Sequence, residues 1–360
     1  MKAKGRKAGS LKARKKLVFA ARAPSEAQSL EKICDDIKSL KVQGARNIAI
    51  KAVEAINIHS RYSQAASPEG FYGELIEAAD MLASTRPTEP MLRNSIRYIL
   101  AKVEKEMAVQ KRQRGIGHHI ISAIKGASGK ALDASHVDQL RTFVGIESSN
   151  YIENMSHGIE QIAMHGARQV PHGATVLVHC HSSTVTAILK NAWKQGRLRR
   201  VFCTETRPKY QGRITAKELS DAGIDTTLIV DSAAAVFLPQ CDLVLVGADA
   251  ISAGGDLANK IGTCAIATLA HAHHVRLLSA AEIYKFEPVT AWGSQIVIEE
   301  RDTSEVADTS QMPHVKIRNP AFDITAAKYI GGYITERGVI APASFAAVAG
   351  QEFALERKKH

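Results

Sequence analysis

The chain has 360 residues, of which 45% are hydrophobic, and a formal net charge of +11. This length allows two domains with real cores, and no apolar stretch approaches the roughly 18 residues of a membrane span, so no membrane partner is expected. The five cysteines are odd in number and form no Cys-x-x-Cys pair. That pattern favours reduced thiols in the cytoplasm over a disulfide framework.

The positive charge is concentrated at the start of the chain. Residues 1–22 contain nine Lys or Arg and no acidic residue, which leaves 38 basic against 36 acidic residues elsewhere. Such a block repels itself, so residues 1–25 are predicted to form a disordered tail. Two roles stay open for this tail: a solubilising extension, or a contact with RNA or another polyanion. Nucleic acid is expected as a partner only through this segment.

Residues 26–170 are predicted to form an all-helical domain. Apolar residues recur at intervals of three and four along 48–56, 91–109 and 136–164, which is the spacing of amphipathic helices. Gly126–Gly129 is predicted to be a turn between two of these helices. No strand pattern stands out in this half of the chain.

Residues 171–360 are predicted to form a Rossmann-like α/β catalytic domain with an open parallel sheet. Short aliphatic runs alternate there with helical segments, which is typical of βαβ units. The predicted strands are Thr175–His179, Arg200–Cys203, Thr226–Val230, Leu243–Val246, Val275–Ser279 and Gln295–Ile298.

Cys180 and Asp249 follow two of these strands, and ligands of open parallel sheets bind at the carboxyl ends of strands. Ser182 or Ser183 would cap the next helix, so its dipole is expected to lower the Cys180 pKa and favour a thiolate. A structural reading stays open for both residues, because a lone buried cysteine packs as a small hydrophobe and Asp249 could cap a turn. A desolvated Asp249 would have a raised pKa and could donate a proton.

A glycine-rich segment at 254–263 carries Asn259 and Lys260 ahead of a helix, which suits phosphate binding but lacks the Walker spacing. Arg86 and Lys285 are further loop cations that could hold anions. No metal site is predicted. The His179-Cys180-His181 run alternates faces, and paired Cys or His ligands at short, repeated spacings do not occur.

Several separate motifs together resemble the ribose-1,5-bisphosphate isomerase family, which is related to methylthioribose-1-phosphate isomerase and to regulatory subunits of translation initiation factor 2B. The resemblance covers residues 26–353. Its motifs are Arg86-Pro-Thr88, His179-Cys-His-Ser-Ser183, Thr204-Glu-Thr-Arg-Pro208 with Gln211-Gly212, Gly247-Ala-Asp-Ala-Ile251, Gly255-Asp-Leu-Ala-Asn-Lys-Ile-Gly-Thr263, Tyr284-Lys-Phe286 and Asn319-Pro-Ala-Phe-Asp323.

The resemblance implies that Cys180 accepts a proton and Asp249 donates one, in an aldose–ketose isomerase without cofactor. It also implies substrate-binding residues, a homo-oligomer built from dimers, commonly a hexamer, and a place in the salvage of AMP. The implied substrate-binding residues are Gln43, Gly44, Ala45, Arg46, Arg86, Ser182, Ser183, Thr184, Asn259, Lys260 and Lys285.

One departure from the family bears on the substrate. The first phosphate loop of the family reads Arg-Gly-Ala-Gly, whereas this chain has Gln43-Gly44-Ala45-Arg46. The leading guanidinium is lost, and with it a bidentate phosphate contact. Two alternatives to a ribose 1,5-bisphosphate isomerase therefore stay open: an isomerase of another pentose 1-phosphate, such as methylthioribose 1-phosphate, and a binding protein resembling an initiation-factor regulatory subunit. The initiation-factor relatives typically lack the cysteine–aspartate pair, which favours an enzyme.

Overall fold

The computed structural model of the chain describes residues 29–39, 41–42, 44–121, 129–308, 310 and 312–353. The predicted basic tail, Gln43 and most of the predicted turn at 126–129 lie outside these residues. Within them, no helix is both long enough and apolar enough to cross a membrane.

Helices alone make up the first part of the described chain. They are α1 (Leu30–Lys38), α2 (Ala45–Tyr62), α3 (Pro68–Thr85), α4 (Pro90–Ile121) and α5 (Gly129–Ala167). Local chemistry sets several of their starts. The Ser29 side chain accepts from the Lys32 N–H at α1, and Ser67 caps α3 ahead of a proline in the first turn. Their apolar faces meet in one buried cluster that includes Ile56, Phe71 and Leu92.

The second part of the chain forms a seven-stranded sheet with flanking helices. In chain order its elements are β1 (Ala174–His179), α6 (Ser183–Lys194), β2 (Leu198–Thr204), α7 (Gln211–Asp221), β3 (Thr226–Ile229), α8 (Ala234–Phe237), β4 (Leu243–Val246), β5 (Ala250–Ile251), β6 (Leu257–Lys260), α9 (Thr263–Ala272), β7 (Arg276–Ala280), β8 (Phe322–Thr325), β9 (Tyr333–Thr335), β10 (Gly338–Ile340) and α10 (Phe345–Phe353). The strand order is β10-β9-β7-β4-β1-β2-β3, and only β10 is antiparallel to its neighbour. The predicted class, a helical region followed by an open parallel sheet, is confirmed.

Both faces of this sheet are covered, which explains why its strands are continuous aliphatic runs rather than alternating ones. Along β1 successive side chains point to opposite faces. Val176 and Val178 pack into a cluster with Ile188 of α6, whereas Leu177 packs into the cluster that contains Ile266 of α9. The sheet is therefore the middle layer of three.

A second, three-stranded antiparallel sheet has the order β5-β6-β8. It was not predicted, because β6 pairs with β8 across more than 60 residues of chain and carries two polar residues, Asn259 and Lys260. The segment expected to be only a glycine-rich loop thus contains a strand. Asn259 and Lys260 are held on a paired backbone, which fixes where their side chains point.

The predicted strand at Gln295–Ile298 is wrong. These residues are described but form no strand. Val297 is 70% exposed, so this apolar run has no neighbouring strand or helix to bury it. A short aliphatic run is a strand only when such a partner is available.

Helix α4 joins the helical part to the sheet part. Asn94 donates to the carbonyl oxygens of Tyr284 (3.0 Å) and Phe286 (2.7 Å), and Arg93 forms an ion pair with Glu287. These contacts hold the short 3-10 turn Ile283–Lys285 against α4. The Lys285 ammonium is thereby presented at the boundary between the two parts.

Candidate active site

The order of the strands brings Cys180 and Asp249 together at the carboxyl ends of two neighbouring central strands. The chain runs from β1 outward through β2 and β3 and then crosses to β4 on the other side of β1. His179 at the end of β1 is in register with Val246 at the end of β4. Such a reversal opens a crevice between the carboxyl ends of the two strands, which is where ligands of this architecture bind.

Cys180 lies at the sharp turn between β1 and α6. Its φ is +70°, a left-handed conformation that costs a non-glycine residue about 1 kcal/mol. The Cys180 N–H donates to Thr206 Oγ1 (2.9 Å), and Thr215 Oγ1 donates to the Cys180 carbonyl oxygen (3.1 Å). Strain that is held by specific contacts on both sides is a feature of functional turns. The thiol itself donates to Gln211 Oε1 (3.8 Å).

The expectation that the helix dipole lowers the Cys180 pKa is wrong for the ligand-free protein. Ser182 does cap α6, by accepting from the Val185 N–H. Burial is nevertheless the larger effect and raises the pKa of Cys180 to about 12, because the surrounding protein solvates a thiolate poorly. The Lys260 ammonium opposes this shift and the Asp249 carboxylate adds to it. At neutral pH the thiol is therefore protonated.

Asp249 lies three residues beyond β4, and its N–H donates to the Ala258 carbonyl oxygen. Burial raises the pKa of its carboxyl group, although the cations Lys285, Lys260 and Arg86 all pull it down. The expected raised pKa is confirmed. A carboxyl group of this kind holds its proton to higher pH than an exposed one and can donate it.

Two ammonium groups are buried beside this carboxyl. Lys260 is 5% exposed and Lys285 is 6% exposed. In the described part of the chain neither has a carboxylate oxygen within 4.0 Å, and Lys260 Nζ lies 5.0 Å from the centroid of the Phe322 ring. Burial of an unpaired cation is costly, so both positions favour an anionic ligand.

The helical part contributes a further anion-binding feature. Helix α2 begins after Gly44, whose φ is +83° and which has no side chain that could cap the helix. The positive end of the helix dipole favours an anion at this position. Arg46 in this first turn donates to Ser156 Oγ (3.3 Å), while Arg86 forms an ion pair with Glu299 (3.0 Å). Arg86 has to leave Glu299, or share its guanidinium, in order to contact a ligand.

A single cavity of about 390 Å³ is lined by every described residue that the sequence singled out. These residues are Gly44, Ala45, Arg46, Arg86, Cys180, Ser182, Ser183, Thr184, Asp249, Asn259, Lys260 and Lys285. Gln43 lies outside the described residues. The geometry thus brings the acid, the thiol and the cations of both parts of the chain together, while their individual roles stay predictions.

Sequence reasoning missed several residues that line the same cavity: Asn47, Glu89, His179, Gln211, Glu282 and Arg301. Three of them had a signal, because His179 opens the His179-Cys-His-Ser-Ser183 motif, Gln211 begins the Gln211-Gly212 pair and Glu89 directly follows Arg86-Pro-Thr88. Glu282 had none that a single sequence provides. It reaches the cavity through long-range packing alone.

His179 stabilises the Cys180 turn through contacts of its imidazole ring. Its Nδ1 lies 2.7 Å from Thr204 Oγ1 and its Nε2 lies 2.8 Å from the Ile261 carbonyl oxygen. Burial lowers the pKa of His179, so the ring is neutral and links the end of β1 to the loop after Lys260. Among the residues described, no three His, Cys, Asp or Glu side chains group together as metal ligands.

Inorganic phosphate is expected to raise the Tm of the ligand-free protein, because it would pair with the two buried ammonium groups. At about 100 times its Kd the stabilisation would be about 2.7 kcal/mol. K260M and K285M should each lose most of this gain. K217M, which removes an exposed lysine paired with Asp221 on α7, should keep it. Thermal unfolding at matched ionic strength measures the effect, and an equal Tm gain in K260M and K285M would place the anion elsewhere.

The chain matches the Initiation factor 2 subunit family over residues 41–342. A ribose 1,5-bisphosphate isomerase from Archaeoglobus fulgidus is 40% identical over 309 residues, or 86% of this chain and 88% of that protein. The solved structure of translation initiation factor eIF-2B subunit delta from A. fulgidus is 29% identical, with a TM-score of 0.63, over 91% of this chain and 92% of that one. The tetrameric eIF2B-beta2-delta2 complex from C. thermophilum shares the fold at 18% identity, with a TM-score of 0.66, over 89% of this chain and 93% of that one. The chain belongs to the Initiation factor 2 subunit family.

Proposed function

We propose that this chain is an isomerase that converts ribose 1,5-bisphosphate into ribulose 1,5-bisphosphate. The observation that carries the proposal is that Cys180 and Asp249 follow neighbouring strands into one cavity, which also holds Lys260 and Lys285. The reaction needs an acid, a base and sites for two phosphates, and this cavity offers groups of each kind. The name of the A. fulgidus relative supports the same reaction.

Proton transfers alone accomplish this change. A sugar phosphorylated on C1 is locked as a ring, so protonated Asp249 donates to the ring oxygen as the bond from that oxygen to C1 breaks. The Cys180 thiolate takes the proton from C2, which gives a C1–C2 enol. The proton then returns from Cys180 to C1, and the C2 hydroxyl returns a proton to Asp249 as the ketone forms. Both groups end as they began, so no redox cofactor is needed.

The acid and the base depend on each other in this scheme. Because burial raises the pKa of Cys180 to about 12, positive charge has to favour the thiolate when it forms. Lys260 supplies that charge. A neutral Asp249 removes the negative charge that opposes thiolate formation. The state in which Asp249 can donate is therefore also the state in which the Cys180 thiolate forms more readily.

The two phosphates are assigned to opposite sides of the cavity. Lys260, Lys285 and Asn259 would hold one of them, together with the hydroxyls of Ser182, Ser183 and Thr184 at the start of α6. The N-terminus of α2, with Gly44, Ala45 and Arg46, would hold the other, and Arg86 would assist. Gln43 is assigned to the same phosphate from the sequence motif alone, since it lies outside the described residues. Their shared position on the cavity wall supports these assignments.

The cellular setting is part of the same proposal. We expect a cytoplasmic enzyme of AMP salvage that acts as a homo-oligomer, either a dimer or a hexamer. The tetrameric complex from C. thermophilum that shares this fold supports self-association. A boundary at residue 170 between a helical and a catalytic domain is supported by the end of α5 at Ala167 and the start of β1 at Ala174.

A direct assay tests the reaction. Purified protein is given ribose 1,5-bisphosphate, methylthioribose 1-phosphate or 5-deoxyribose 1-phosphate, which keeps the C2 hydroxyl that the reaction needs, and the ketose product is measured. We expect kcat/KM to be higher for ribose 1,5-bisphosphate by about 10²-fold, because a site built for a second phosphate leaves its cations unpaired with the other sugars. Equal rates with methylthioribose 1-phosphate would transfer the assignment to that substrate. No turnover of any sugar, with co-purification of a translation factor, would favour the binding-protein alternative.

A further inference from the structure

Glu89 is a cavity residue for which the mechanism above has no use. It occupies the position before Pro90, the first residue of α4, and is 7% exposed. The Met91 N–H contacts its carboxyl group, so one function of the side chain is to cap α4. Among the described residues, however, no hydrogen-bond donor reaches its buried Oε1 atom. The amide oxygen of a glutamine could accept the same hydrogen bond, so this contact alone does not require a buried acid.

The charges around Glu89 are those that surround Asp249. Burial raises the pKa of Glu89 to about 7, and the negative charge of Asp249 adds to this shift, while Lys285 and Arg86 oppose it. Lys285 and Arg86 act on Asp249 in the same direction, as does Lys260. The remaining titratable groups that line the cavity are Arg46, His179, Cys180, His181, Glu282 and Arg301, and the negative charge of Glu299 adds to the raised pKa of Asp249.

The number of cations available to the two carboxyl groups is limited. Arg86 is already paired with Glu299 and Arg301 with Glu305, so the cations that act on both the cavity and Asp249 without a carboxylate partner are Lys260 and Lys285. Two ionised carboxylates would offset both ammonium charges and weaken their attraction for a phosphate. They would also repel each other in a poorly solvated site. One retained proton relieves the repulsion and keeps the cavity attractive to an anion.

We propose that Glu89 and Asp249 form a coupled carboxyl pair that holds one proton at neutral pH, with Glu89 as a positioning residue that keeps Asp249 able to donate. This inference rests on the proposed isomerase function. When two like-charged groups interact, protons leave in two steps that belong to the pair, and the last proton stays to a higher pH than either group would hold it alone. Asp249 thus keeps a share of that proton where a lone Asp249 would be ionised.

The pH dependence of E89Q tests this pairing. Glutamine keeps the shape and the cap but carries no charge, so Asp249 should ionise at lower pH. The fall in kcat/KM at alkaline pH is expected to begin about 1 pH unit lower than in the wild type. At pH values below that fall, the two proteins should have similar kcat/KM. E282Q removes another buried acid from the same cavity and should leave the alkaline fall where it is.

A second measurement does not require activity. The infrared carbonyl stretch of protonated carboxyl groups is titrated in the ligand-free wild type, E89Q and D249N. The wild type should retain a protonated carboxyl group at neutral pH, and removal of either member should make the other titrate at lower pH. D249N also decides the question if E89Q does not fold, because the coupling is reciprocal.

Two results would overturn the pair. One is an unshifted alkaline fall in E89Q together with an unshifted Glu89 titration in D249N. The other is a rise in KM at every pH without a shift, which would make Glu89 a substrate contact. If the wild type isomerises no sugar phosphate, the proposed function fails while the infrared titration still reports on the pair.

Discussion

Replacing Cys180 with serine is expected to lower kcat for sugar-phosphate isomerisation by about 10³-fold, within the range of losses when a general base is removed. A serine hydroxyl is a far weaker acid than a thiol, so its conjugate base is almost absent at neutral pH. The fold should persist, because the backbone N–H and carbonyl of residue 180 make the contacts with Thr206 and Thr215 that hold the turn.

D249N is expected to lose about as much, because an amide cannot donate a proton to the ring oxygen. Both variants are compared with C264S, which replaces a half-buried cysteine of α9 that does not line the cavity. C264S should retain the wild-type kcat. Steady-state kinetics and thermal unfolding of all three variants separate chemistry from stability. If C180S or D249N keeps more than about a tenth of the wild-type kcat, that residue is not the assigned acid or base.

The largest effect on stability is expected from Gly212→Ala. A Cβ atom at this position would lie 1.7 Å from the Thr204 carbonyl oxygen and 3.0 Å from Thr206 Oγ1. The backbone has to move to relieve this overlap, which should cost about 3 kcal/mol or more. The same backbone positions Gln211 against the Cys180 thiol and Thr206 against the Cys180 N–H, so kcat should fall as well.

Gly73→Ala is the matched control for this substitution. Gly73 is in the interior of α3, and a Cβ atom there would meet nothing within 4 Å. Alanine should stabilise this helix by up to about 1 kcal/mol, because glycine has more backbone entropy to lose. Denaturant unfolding of both variants gives the comparison. A Gly212→Ala midpoint equal to that of the wild type would show that the α7 start is more adaptable than its contacts indicate.

The parallel strands could be predicted because each is buried on both faces. Ala174–His179 and Leu243–Val246 are fully buried, and their aliphatic runs are the direct result of that environment. The run at Gln295–Ile298 is also apolar but pairs with no strand among the described residues, so Val297 is exposed and Ile296 and Ile298 are only half-buried. Strand β6 had the opposite problem. Its polar residues Asn259 and Lys260 interrupt the aliphatic pattern of a strand, and its partner β8 lies more than 60 residues further along the chain.

The pKa of Cys180 shows the limit of local reasoning about the site. The cap at Ser182 and the start of α6 could be predicted from neighbouring residues, and both are present. The effect of burial on the thiol depends on the walls of the cavity, which come from many parts of the chain. Burial outweighs the dipole because a charge loses most of its solvation when protein replaces water.

The sequence by itself determined the class of fold, the ends of the strands that carry Cys180 and Asp249, and the family motifs around them. Only the tertiary structure decided that β4 lies beside β1 and that Glu89 and Glu282 enter the same cavity. Hydrophobic periodicity records whether a residue is buried, because burial acts on each position separately. It does not record which distant elements become neighbours, because that depends on the packing of the whole chain.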